Sequence, residues 1–189
     1  MVYRELNLRL ITTITMKSLA LVIAATLWIL FQSSVYAQWT SSTSGNEMDG
    51  EVNYFAFSPE TTSTRPMSSP YSNTRSNLAV GCSGDGDPWA YIWFSKDPNI
   101  TNDETEDGYN KITTRVKIDD EEPYRVTLSQ QWGSHILHFY RDNFMIDEFK
   151  RGSSLLLELS WYGQGTVYFR YSLIGSTAKI SAAMAACTN

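Results

Sequence analysis

The stretch LLLELSWYGQGTVYFRYSLI, residues 155 to 174, decides the fold. Leu155, Leu157, Leu159 and Trp161 recur at every second position, and so do Val167, Phe169, Tyr171 and Leu173. A period of two marks a strand that buries one face. Between the two runs stands Gly163-Gln164-Gly165, and glycine reaches positive φ without a side-chain clash, so the segment reads as an antiparallel hairpin.

The same period extends upstream. VNYFAF (52–57), NLAVGC (77–82), AYIWF (90–94), KITTRVKID (111–119), YRVTLSQ (124–130) and SHILHFY (134–140) all read as strands. Two helices interrupt them. RDNFMIDEFKRGS (141–153) offers Asp142 as a cap, Phe144, Met145 and Phe149 as an apolar face, Lys150 and Arg151 in the last turn, and Gly152 as a stop. STAKISAAMAAC (176–187) offers Ser176 or Thr177 as a cap, with Ile180, Ala183, Met184 and Cys187 on one stripe. The fold class is mainly β: a single antiparallel, β-sandwich-like domain with a short internal helix and a carboxy-terminal helix.

Residues 16 to 37, MKSLALVIAATLWILFQSSVYA, have the layout of a secretory signal: Lys17, an apolar run from Leu19 to Phe31, and the small-residue ending Val35-Tyr36-Ala37. The run is shorter than the roughly 20 residues a bilayer span needs. Residues 1 to 37 are therefore expected to be removed as a signal peptide, with Met16 the expected true start, and residues 38 to 189 to form one exported β-rich domain. An uncleaved anchor is the competing reading. Loss of Arg4, Glu5, Arg9 and Lys17 with the signal leaves 12 of 15 basic and 19 of 20 acidic residues. That acidic balance opposes nucleic-acid binding, which depends on phosphate neutralisation.

Cys82 and Cys187, the two cysteines of the chain, both lie in the exported part. An oxidising compartment lets disulfides persist, so they read as one bridge that ties the last helix to the strand ending at Cys82. Two free thiols or a metal pair are the rival readings, and two distant cysteines without a CxxC unit make a poor metal site.

Signals for chemistry are weaker. DETEDG places Asp103, Thr105 and Asp107 at alternate positions before Gly108, the opening spacing of a calcium loop, but Thr114 stands where the twelfth-position glutamate belongs. An ordinary solvated acidic loop is favoured, and no metal or cofactor is expected. His135 and His138 point to opposite faces of a strand. Asp142 and Asp147 are near in sequence but do not define a glycosidase pair. Catalytic motifs such as GxSxG, HExxH or a P-loop are missing, so the chain reads as a non-enzyme. Of Trp89, Trp93, Trp132 and Trp161, Trp89 beside Pro88 is the best candidate for exposure. The candidate binding surface is thus Trp89 with Asp103, Glu104, Glu106 and Asp107.

The order of Trp39, MDGEVNYFAF (48–57), LAVGC (78–82), ITTRVKIDD (112–120), Trp132, FMIDEFKRGSSLLLEL (144–159), VYFRYSLIGS (167–176) and a closing alanine-rich helix with Cys187 resembles small exported proteins. It looks like the type VI secretion-associated VasI-like family. Arg115 and Asp119 occupy the place of that family's Arg–Asp strand, with one additional residue between them. The resemblance implies a compact exported accessory module.

The expected function is that of an exported, periplasmic or secreted, non-enzymatic binding or accessory protein, associated with a secretion system. Its partner would be a protein of the cell envelope, with no nucleic acid and no stable membrane insertion after cleavage. A periplasmic inhibitor of a cell-wall hydrolase is the alternative, its acidic loop plugging a basic cleft. A carboxylate-dependent glycan hydrolase stands third.

Overall fold

A computed structural model describes residues 38–188 apart from 46, 47, 49, 85, 86 and 102. The segment read as a signal lies outside the described residues. The strands are β1 (Thr40–Gly45), β2 (Val52–Phe57), β3 (Thr61–Thr62), β4 (Arg75–Cys82), β5 (Pro88–Phe94), β6 (Asp103–Glu106), β7 (Tyr109–Ile118), β8 (Tyr124–Gln131), β9 (Ile136–Phe139), β10 (Ser154–Trp161) and β11 (Gly165–Ser172). The helices are α1 (Asp142–Arg151) and α2 (Ser176–Cys187).

The deciding hairpin forms as read. Leu155, Leu157, Leu159 and Trp161 of β10 face Tyr171, Phe169, Val167 and Gly165 of β11, and every inward side chain in this set is buried. Positive φ at Gly163 (71°) and Gly165 (69°) makes the turn. One antiparallel sheet runs β1-β2-β4-β5-β9-β8-β7-β10-β11, with β3 beside β4 and β6 beside β7. The opposed layers expected from the alternating strands come from this one sheet curling over. Thr61 and Thr62 pair with β4, then Ser63 bridges to Phe169 and the Thr64 N–H donates to the Tyr168 carbonyl, so β3 joins β4 to β11. Inside that seam the Ser76 and Tyr171 hydroxyls share a 2.7 Å hydrogen bond.

The enclosed core is aromatic. Phe94, Trp161 and Phe169 meet edge-on or tilted, with centroids 5.3 to 6.2 Å apart, and aromatic pairs favour these geometries over face-to-face stacking. At one end of the rolled sheet α1 inserts Met145, Ile146 and Phe149, and Trp39 packs on Phe149 while its indole N–H donates to the Ser172 carbonyl. Phe144, expected on the buried face, stays at the surface, and Ile146 takes its place.

Neither helix is capped as the sequence suggests. Asp142 is the first helical residue of α1 rather than its cap, and its carboxylate accepts the Ala90 N–H at 2.6 Å. That strand group lies beyond the reach of the short β9, so the side chain completes the hydrogen bonding of β5. The Ser176 and Thr177 hydroxyls donate to the Phe149 and Lys150 carbonyls at 2.7 and 2.6 Å. They satisfy the open carbonyls at the end of α1 and fasten the two helices together.

The buried stripe of α2 comprises Ile180, Ala183 and Cys187, with Met184 partly buried. Cys187 is bonded to Cys82 at the end of β4. At the same carboxy-terminal end of α1, Arg151 bridges two carboxylates, donating to both oxygens of Glu148 at 2.7 Å and to both of Glu121 at 2.7 and 2.8 Å. The Tyr124 hydroxyl adds a third donor to the buried Glu148, at 2.9 Å. Arg151 and then Tyr124 hold the Glu148 carboxyl below its ordinary 4.5, against the opposing effect of burial.

Two expectations follow. The Cys82–Cys187 bond closes a 105-residue loop, and the chain-entropy argument assigns a closure of that length about 5 kcal/mol. Changing both cysteines to serine should lower the denaturant midpoint by a corresponding amount, and the native protein should show the same loss when reductant is added. The second concerns acid. A carboxyl whose folded value is depressed contributes stability above its ordinary value and loses it as pH falls through the folded one. Glu148→Gln should therefore cost about 2 kcal/mol at neutral pH and make unfolding stability less sensitive to pH below about 4.5. Urea melts at several pH values measure both.

Candidate functional site

Two surface regions concentrate the aromatic and acidic residues that the sequence brings forward. The first is a bowl of about 480 Å³ at the end of the rolled sheet away from α1, lined by Tyr71, Asp97, Asn99, Ile100, Asp103, Thr105, Asn110, Gln130 and Trp132. Its rim forms because the loop after β5 crosses over and pairs with the end of β10. Ile100 bridges to Trp161, the Thr101 N–H donates to the Ser160 carbonyl, and the Tyr162 N–H donates to the Asn99 carbonyl.

Gln130, buried in β8, fixes this loop from beneath. Its amide nitrogen donates to Asp97 Oδ1 at 3.1 Å and to the Pro98 carbonyl at 2.9 Å. Trp132 stands 60 % exposed on the turn after β8, and its indole N–H donates to Asn110 Oδ1 at 3.0 Å. That bond orients a large apolar ring that water still reaches. Lys96 turns its ammonium to the carbonyls of Pro70 and Ser72, so its charge is satisfied by backbone oxygens. Among the described residues neither Asp97 nor Asp103 forms an ion pair. The bowl therefore combines one oriented indole with two carboxylates that lack an ion pair, Asp97 being held by Gln130, and several amides, a set suited to a cationic or hydrogen-bond-donating group.

The acidic loop is a hairpin. Asp103–Glu106 form β6, paired with β7, and Asp107 (φ 46°) and Gly108 (φ 85°) make the two-residue turn. Positive φ at both central positions is the geometry that Asp-Gly favours. The alternate spacing of Asp103, Thr105 and Asp107 thus follows from strand geometry and a turn instead of a calcium loop. Asp103 and Thr105 line the bowl, whereas Glu104 and Asp107 are exposed outside it. Glu106 is the last residue of β6.

Trp89 belongs to the second region, so it does not meet the acidic hairpin in one site. Strand register places Phe55, Gly81 and Trp89 in one row on the outer face of β2-β4-β5, and Phe57, Ala79 and Tyr91 in the next. Trp89 is half-buried, and Phe55 meets it edge-on at 6.1 Å while stacking on Phe57 at 5.7 Å. The indole lies flat over Gly81, where an added Cβ would come within 2.6 Å of it. Trp89 is in this way seated on the sheet by a glycine, and Trp93 follows four residues later on the same face, also half-buried.

Other sequence candidates separate. Asp142 is engaged with Ala90, and Asp147, five residues on along α1, is exposed and on a different face. The His135 ring meets the Phe94 carbonyl at 3.0 Å, while His138 tilts against Tyr91. Arg115 and Asp119 take different partners. Arg115 grips Glu158 of β10 through two hydrogen bonds of 2.9 and 2.6 Å, and Asp119, at φ 47°, accepts the backbone N–H groups of Ser153 and Ser154.

Sequence reasoning missed Asp97 and Gln130, and treated Trp132 without a site, because loop crossing alone brings them together. Taken with the core, these features define a class: a mainly β, disulfide-linked protein with an oriented tryptophan in an acidic loop-end bowl. Comparison with known proteins adds no family to that class, since no family model, curated protein or solved structure matches the chain.

A test of the glycine seat is direct. Gly81→Ala should push the Trp89 ring off the sheet and cost about 1 to 3 kcal/mol, the usual range for overpacking. Its tryptophan emission should shift, whereas Gly84→Ala, with nothing within 4 Å of the added carbon, should leave stability within about 0.5 kcal/mol.

Proposed function

We propose that this protein is an exported binding module, without catalytic activity, that engages a protein of the cell envelope through its loop-end bowl. The observation that carries the reading is Trp132 held exposed by Asn110 beside the unpaired carboxylates of Asp97 and Asp103. Tryptophans dominate the binding energy of protein interfaces when neighbouring contacts exclude water from them. The two carboxylates favour a partner that presents a lysine or arginine beside an apolar or planar group. Export rests on the Cys82–Cys187 bond, which persists in oxidising compartments, and on the leader-like sequence of residues 16 to 37. The periplasm is the compartment proposed, and the secretion apparatus implied by the VasI-like resemblance supplies the first partners to try.

A second reading has one specific observation in its favour. The acidic hairpin is held by paired strands and a tight turn, with Glu104 and Asp107 exposed. A stiff acidic projection of this kind suits an inhibitor that plugs the basic cleft of a cell-wall hydrolase.

Immobilised protein should retain a defined envelope protein from extract. Trp132→Ala and the pair Asp97→Asn with Asp103→Asn should each weaken that complex at least about tenfold, with unchanged unfolding midpoints. Retention indifferent to these changes rejects the bowl, and no retained protein rejects the binding role. Inhibition of a lysozyme-type enzyme that is lost in Glu104→Gln with Asp107→Asn, but kept in Trp132→Ala, would select the hairpin instead.

A further inference from the structure

β9 pairs with β8 over only two residues, Leu128 with Phe139 and Ser129 with His138, and the chain then leaves the sheet to begin α1. The last link is the Tyr140 N–H donating to the Thr127 carbonyl at 3.1 Å. Beyond it the start of β8 has no strand neighbour on that side, and a cleft of about 550 Å³ opens between β8 and α1. This volume lies in the range of small-molecule sites.

The cleft has two kinds of lining. Val126, Phe139, Phe144 and Met145 are apolar. Phe144, 36 % exposed, meets Tyr124 edge-on at 5.8 Å. Around these stand Lys111, Arg125 and Arg141, all exposed. Among the described residues none of the three forms an ion pair. Arg141 lies 4.5 Å from the Phe144 ring centroid, which leaves its hydrogen-bond donors open. Of the nearby carboxylates, Asp142 is engaged by Ala90 and Glu148 by Arg151 and Tyr124, while Glu104 stands opposite Lys111 in the β6–β7 register without forming an ion pair. Three uncompensated cations around one apolar cleft contrast with a chain whose net charge is −5.

We propose that the cleft between β8 and α1 binds an amphipathic carboxylate, its hydrocarbon body against Val126, Phe139, Phe144 and Met145 and its charge among Lys111, Arg125 and Arg141. The apolar lining gives the affinity and the cations select the anion, since burying apolar surface is non-directional whereas a carboxylate accepts paired hydrogen bonds from guanidinium groups. The site is separate from the bowl and stands or falls independently of it.

Octanoate, octanol and octylammonium share one hydrocarbon chain and differ in head group, so calorimetric titration of the disulfide-bonded protein with each is the test. Octanoate should saturate one site, with the other two at least tenfold weaker, and amide shifts should gather at residues 124–127 and 139–145. Arg125→Gln with Arg141→Gln should weaken octanoate at least tenfold, and Trp132→Ala should leave it unchanged. Octanol binding as tightly as octanoate, shifts centred elsewhere, or no saturation would overturn the proposal. The head-group series on the unaltered protein decides the matter even where the double variant does not fold.

Discussion

Closure of the sheet between β11 and β4 sets the position of every other element. A flat antiparallel sheet of these strands would leave one face of Leu78, Ile92, Leu157 and Phe169 in water, yet all four are fully buried. Burying a side chain of this size contributes about 1.5 to 3 kcal/mol, so the sheet gains most by curling until its inner face meets itself. The curl brings Tyr171 to Ser76, and the two-residue β3 carries the remaining backbone hydrogen bonds across the seam. Once the seam is made, the two open ends need covers. The loop after β5 covers one and becomes the wall of the bowl; α1, Trp39 and α2 cover the other.

The two faces of the sheet use the alternation of side chains differently around the roll. On β7, β8, β10 and β11 most outward positions are polar, and some are cross-linked, as in Arg115 with Glu158 and the Tyr168 hydroxyl donating to Glu158. On β2, β4 and β5 they carry Phe55, Phe57, Trp89, Tyr91 and Trp93, with Gly81 and Ala79 as the small partners beneath the rings. Such flat rings over small residues restore on the outside the large-on-small packing that a core normally uses. Trp89 is consequently part of how the sheet is built, and Trp132, tethered by a single side-chain hydrogen bond, is the indole that remains available.

Local pattern made most of this legible. The hairpin of 155 to 174, the strand VNYFAF and the helix 176 to 187 were all written in period and turn chemistry, because each depends on neighbours close in sequence. The cysteine pair was legible for a different reason, since the chain holds no other partner for either sulfur. What stayed hidden depends on long closures. β1 is exposed along its whole length and has no buried face for a pattern to report, and β3 is two residues long. β6 hid behind its charges: DETE has poor strand propensity and is held by pairing to β7. The caps misled because Asp142, Ser176 and Thr177 found tertiary partners that a local reading does not contain.

One strand connects the bowl and the cleft. β8 supplies Gln130 to the bowl's floor at one end and Tyr124 to Thr127 to the cleft at the other, with the buried Leu128 between them. Pairing to β7 along its whole length holds β8 straight, so the two sites are positioned by the same rigid element but share no side chain. Their chemistry is opposite, carboxylates about an indole at one end and cations about an apolar cleft at the other. The fold therefore separates the two chemistries: Arg125 stands at the start of β8 and the carboxylates of the bowl beside its end, while Lys111, next to Asn110 of the bowl on β7, alternates to the opposite face of the sheet and lines the cleft from there.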